Sequence, residues 1–69
     1  MDNSVLEGQW RQLRGKIQEE WGDLTDDDLD QANGKYDQVV GSLQQRYGYS
    51  KADAEARLSR FLDNVIERA

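Results

Sequence analysis

This chain nearly repeats itself, and the repetition limits its fold more than its composition does. Displaced by 26 residues, GQWRQLRGKIQEEWG at 8–22 lies without a gap over GKYDQVVGSLQQRYG at 34–48. Gly8, Gln12, Gly15, Gln18 and Gly22 recur as Gly34, Gln38, Gly41, Gln44 and Gly48. Trp10, Leu13, Ile17 and Trp21 recur as Tyr36, Val39, Leu43 and Tyr47. After one residue present only in the first copy, Leu24-Thr25-x-x-Asp28 returns as Tyr49-Ser50-x-x-Asp53. A repeat this short is one supersecondary unit that cannot bury its own apolar face, so the copies must shield one another. The expectation is one domain over 1–69, with repeat units of approximately 5–33 and 34–67, packed about an approximate two-fold axis.

The apolar spacing says what each unit is made of. Leu6, Trp10, Leu13, Ile17 and Trp21 follow at intervals of three and four, one stripe of an α-helix. Ser4 and Glu7 fit a capping box at its start, and Gly22 a left-handed stop. That predicts a first helix from about Val5 to Trp21. Thr25 as N-cap, Asp28 as its reciprocal partner and Leu24/Leu29 as a hydrophobic staple predict a short helix from Asp26 to about Ala32, ended by Asn33-Gly34. Tyr36, Val39, Val40, Leu43 and Tyr47 predict a third helix closed by Gly48. Ala54, Leu58, Phe61, Leu62, Val65 and Ile66 predict a fourth, with Arg68 near its negative end. The fold class is all-α: four helices as two packed helical hairpins. Its core is expected to hold Trp10, Leu13, Ile17, Trp21, Tyr36, Val39, Leu43, Tyr47, Leu58 and Phe61. Gly8, Gly15, Gly34 and Gly41 read as glycines inside helices, where each costs about 1 kcal/mol relative to alanine. Close helix–helix approach at Gly15 and Gly41 is the expected compensation.

Composition excludes more chemistry than it suggests. The chain has no histidine and no cysteine, so the commonest general base, thiolate metal sites and disulfides are all missing. The formal charge of −5 repels phosphate and anionic lipid overall. No apolar run approaches the ~20 residues of a membrane span, and no basic flank precedes a hydrophobic stretch at the amino terminus. The expected location is the cytoplasm. Carboxylates abound but nothing pairs them in a cleft, so no catalytic residue, cofactor or metal is expected.

Three clusters remain. The run Asp23, Asp26, Asp27, Asp28 and Asp30 imitates the opening of a calcium loop, but Gln31 stands where its glycine belongs and Asp37 where its glutamate belongs. Helix capping explains it better. Arg11, Arg14 and Lys16, with Arg46, Lys51, Arg57 and Arg60, read as solvated ion-pairing residues. Among the turns, only Gly48, Tyr49, Ser50 and Lys51 form a candidate anion-holding site. The apolar surplus on the fourth helix is read as cover for the core. A monomer is favoured, with weak self-association through that helix as the other reading.

The stretch GQWRQLRGKIQEEWGDLTDDDL, followed by GKYDQVVGSLQQRYGYSKADAE, resembles the CsbD-like family of small bacterial proteins. The likeness runs from about Leu6 to Glu55 and is weakest from Ala56 onward. It implies a general-stress protein with no assigned biochemical activity, and an all-α fold of two orthogonal hairpins like those of SAM-like domains. The family has no established catalytic or ligand-binding residues, so none carries over. Sequence and resemblance together lead to a non-enzymatic stress-response protein acting as a small interaction or protective module with an unknown protein partner. A compact nucleic-acid-binding domain and a hydrophilin-like protectant are the alternatives.

Overall fold

Capping chemistry decides where the helices begin and end. The computed structural model describes the backbone of residues 3–68 and the side chains of residues 6–65. It contains five helices, α1 (Asn3–Gly8), α2 (Trp10–Glu20), α3 (Asp26–Ala32), α4 (Tyr36–Tyr47) and α5 (Lys51–Arg68), and no strand among the described residues. The all-α class holds, with five helices in place of the four expected.

The additional helix arises because the first one is broken. Gln9 leaves the helical region at φ −115, ψ 21, and α2 restarts at Trp10. The break lies where the turn before α4 presses in. A Cβ on Gly34 would stand 3.0 Å from the Glu7 Cα and 3.4 Å from the Trp10 Cβ. The two copies also restart alike. The amides of Gln12 and Leu13 both donate to the Gln9 carbonyl, as those of Gln38 and Val39 do to Lys35. The Ser4 cap, and the side chains of Ile66 and Arg68, lie outside the described residues.

Helix α3 matches its sequence reading closely. Thr25 Oγ1 accepts from the Asp28 amide at 3.2 Å, and Asp28 Oδ2 accepts from the Thr25 amide at 3.2 Å. Leu24 and Leu29 are both buried. Asn33 ends the helix in the left-handed region at φ 49, which asparagine tolerates better than most residues. Gly48 closes α4 at φ 73. Gly22 does not play that part for α2. The helix stops at Glu20, and Trp21 turns away at φ −123, ψ 84.

The core gathers the stripes of α2, α4 and α5. Leu13 and Ile17 from α2, Val39, Val40 and Leu43 from α4, and Ala54, Leu58 and Leu62 from α5 are buried together with Leu6 and Trp21. Helix α4 packs against both α3 and α5. Trp10, Tyr36, Tyr47 and Phe61 are half-buried and pack against this cluster from its rim. Tyr36 is tied there: its hydroxyl donates to the Glu55 carbonyl at 3.1 Å and shares a 2.9 Å hydrogen bond with Ser59.

The glycine expectation requires correction. Gly34 is in a turn at φ 84, and Gly8 is the last residue of α1. Gly15 and Gly41 are inside helices but exposed, and a Cβ on either would meet nothing within 4 Å. They sit opposite the apolar stripes, so they bring no helices together. Alanine at either position should therefore stabilise the fold by up to about 1 kcal/mol. Gly34→Ala should instead cost about 1–3 kcal/mol, since it places a side chain at positive φ against backbone. Thermal melts would register each kcal/mol as a shift of about 4–8 °C for a chain this size. A lower melting temperature for Gly41→Ala would refute the exposed placement.

Candidate interaction surface

Polar ties fix the helix ends before any surface is left over. Asp28, already held by its capping box, also accepts from Arg46, Nε at 2.8 Å and Nη2 at 3.2 Å. This bidentate contact joins the start of α3 to the last turn of α4. The Arg46 guanidinium is the main cause holding the Asp28 carboxyl below its ordinary value, with the Thr25 amide adding to it. Arg14 pairs with Asp30 at 2.8 Å between α2 and α3. Gln18 donates to the Leu24 carbonyl at 3.2 Å and to Asp26 Oδ1 at 3.3 Å. The Asp23 amide donates to Tyr47 Oη at 3.1 Å. The carboxylates of Asp26, Asp28 and Asp30 in the acidic run are thus occupied with caps and ties. Among the described residues, no three acidic side chains are grouped so as to hold a metal ion.

The turn Gly48-Tyr49-Ser50-Lys51 is built into the fold. Ser50 Oγ accepts from the Asp53 amide at 3.1 Å, which takes up one donor that an anion would need. Lys51 is exposed. Tyr49 is stacked on Tyr47, with centroids 5.4 Å apart and planes 8° from parallel. The Arg57 guanidinium carbon lies 4.4 Å from the centre of the Tyr49 ring. The turn's most evident product is this ladder, which holds Arg57 in place.

Arg57 also borders a groove of about 800 Å³ between α2 and α5. Trp21 and Phe61 meet in its floor, centroids 5.1 Å apart and tilted by 58°, flanked by Leu13 and Val65. One wall is the polar stripe of Gln9, which caps α2, and Gln12, Lys16 and Glu20 within it, spaced three, four and four. The other is Asp53, Arg57, Arg60 and Asn64 of α5, spaced four, three and four. Lys16, Arg57, Arg60, Glu20 and Asp53 form no ion pair with another described residue, whereas Arg14 and Arg46 are paired elsewhere. From sequence, Lys16, Arg57 and Arg60 read as solvated ion-pairing residues, and Glu20 carries no signal of its own. Their helical spacing was the available signal, but only the packing of α5 beside α2 makes them opposing walls.

Asp28 predicts an acid response. Its lowered pKa means its contribution is fully present above the ordinary aspartate value of 3.8 and is lost as pH falls through the still lower folded value. Denaturant titrations across the acid range should show stability declining there. Asp28→Asn should be less stable near neutrality and decline less steeply. An unchanged acid slope would remove Asp28 from this role.

Comparison with known proteins identifies the family. The CsbD-like family matches residues 5–56. A UPF0337 protein of Pseudomonas aeruginosa is 52% identical over 65 residues, covering 94% of this chain and 100% of that protein. One from Pectobacterium atrosepticum is 47% identical over 64 residues, 93% of each. The UPF0337 protein YjbJ of Escherichia coli K12 is 51% identical over 55 residues, 80% of each. No solved structure matches. With the pattern covering most of its length and relatives at about half identity, the chain belongs to the CsbD-like family.

Proposed function

We propose that this chain is a folded, non-enzymatic module of bacterial stress survival that acts by binding another protein in the α2–α5 groove. One observation carries the reading. Among the described residues, Lys16, Glu20, Asp53, Arg57 and Arg60 border one groove together with the tilted pair Trp21 and Phe61. Ionic side chains clustered on a concave surface over an aromatic floor suit recognition better than packing. The family resemblance supplies the stress setting. A buried core built from α2, α4 and α5 favours a folded module over a hydrophilin-like protectant. The groove's near balance of charges gives little purchase for a phosphate backbone.

Deletion of the gene from its host, followed by survival counts after osmotic and ethanol stress, tests this. Wild-type protein should restore survival, and a Lys16→Glu/Arg60→Glu variant of equal abundance and helical content should not. Full restoration by the variant would show that the groove is not the working surface.

A further inference from the structure

The stop of α3 carries chemistry as well as geometry. Among the described residues Asn33 is the one non-glycine at positive φ, and Gly34 follows it. We infer that Asn33 is a site of spontaneous deamidation gated by the turn between α3 and α4, which blocks the reaction when closed and permits it when open.

The reaction needs only water and the chain itself. The Gly34 amide nitrogen attacks Asn33 Cγ and a C–N bond forms. The side-chain nitrogen leaves as ammonia, taking the Gly34 proton. Water then opens the cyclic imide at either carbonyl, giving aspartate or isoaspartate at position 33. Glycine obstructs this attack least, because no Cβ crowds its nitrogen. The other asparagines, Asn3 and Asn64, precede serine and valine.

The closed turn keeps the reacting atoms apart. Asn33 sits at φ 49, ψ 41, and a left-handed backbone brings Cβ beside the residue's own carbonyl oxygen. That oxygen lies across the planar carbonyl carbon from the Gly34 nitrogen, so Cγ is carried away from its attacker. The Asn33 side chain is exposed, so the backbone and not burial supplies the block. Hydrogen bonds pin this shape on both sides: the Asn33 amide donates to the Leu29 carbonyl at 3.0 Å, and the Lys35 amide to the Ala32 carbonyl at 2.9 Å. Gly34 is buried against Glu7, where a Cβ would stand 3.0 Å from backbone. Attack requires rotation about the Asn33 Cα–C bond, which swings Gly34 off α1.

The product cannot restore the turn. A new carboxylate stands at the negative end of α3, where it is repelled. Isoaspartate routes the main chain through Cβ and lengthens it by one atom, at a point where Gly34 has no room to shift. Each opening under heat or alkali therefore converts some molecules to a form that no longer closes as before. The chain accumulates a record of its own unfolding.

The full-length protein is held at one pH and temperature, with and without enough guanidinium chloride to unfold it. Peptide mass spectrometry and isoaspartyl methylation follow the conversion. Asn33 should convert at least about tenfold faster in denaturant, the factor set by about 1.4 kcal/mol of opening. In native buffer Leu6→Ala, which removes the buried anchor of α1, should convert faster than wild type while circular dichroism shows it still helical. If that variant does not fold, the wild-type comparison decides alone. In denaturant, where no fold remains to be disturbed, Gly34→Ala should lose most of the product. Once denaturant is removed, the isoaspartyl chain should melt below both wild type and Asn33→Asp, which separates the lengthened backbone from the added charge. Equal wild-type rates with and without denaturant, or a folded Leu6→Ala as slow as wild type, would overturn the gate. Earlier conversion at Asn64, or undiminished reaction in Gly34→Ala, would overturn the site. An isoaspartyl chain melting with Asn33→Asp would overturn the lasting effect on the turn.

Discussion

Mutual burial of three helical stripes is the interaction on which this structure depends. With no disulfide and no histidine or cysteine for a metal, nothing covalent closes so short a chain. Leu13, Ile17, Val39, Leu43, Leu58 and Leu62 are all no more than 1% exposed. Burial of each such side chain is worth about 1.5–3 kcal/mol. Exposed ion pairs such as Arg14–Asp30 are worth at most about 1 kcal/mol, often nothing. The apolar stripes therefore decide that the chain folds. Caps and polar ties decide how the helices are set against one another.

That division explains what could be read from the sequence. The start of α3 at Asp26, its stop before Asn33-Gly34 and the end of α4 at Gly48 follow from neighbouring residues, so local chemistry revealed them. The break at Gln9 does not, because it accompanies the approach of Gly34, far along the chain, to the Glu7 backbone. The placement of Gly15 and Gly41 was legible and was misread. Each stands two residues from a core position on either side, Leu13 and Ile17 or Val39 and Leu43. At about 100° per residue that is the opposite face of the helix. A glycine on that face cannot mediate core packing.

The two copies are alike in sequence more than in role. Gly8 and Gly34 are equivalent in the repeat, yet one is exposed and the other is pressed against backbone. Trp21 and Tyr47 are equivalent too. One leaves its helix to meet Phe61, while the other remains helical and accepts from the Asp23 amide. Asp23 is the residue that interrupts the repeat, so the bond from its amide to Tyr47 ties the point of asymmetry in one copy to the helix end of the other.

The largest departure from the repeat is also where the groove lies. In the register that places Thr25 over Ser50 and Leu29 over Ala54, Ala32 falls over Arg57, and α3 ends there while α5 continues. Arg60, Phe61, Asn64 and Val65 thus have no counterpart in the first copy. They also fall beyond residues 5–56, the part that matches the CsbD-like family. One wall of the groove therefore lies wholly within the segment that matches the family, and the other, apart from Asp53, lies beyond it. The shared segment supplies the scaffold and the Trp21 floor, whereas the extension of α5 supplies Arg57, Arg60 and Phe61.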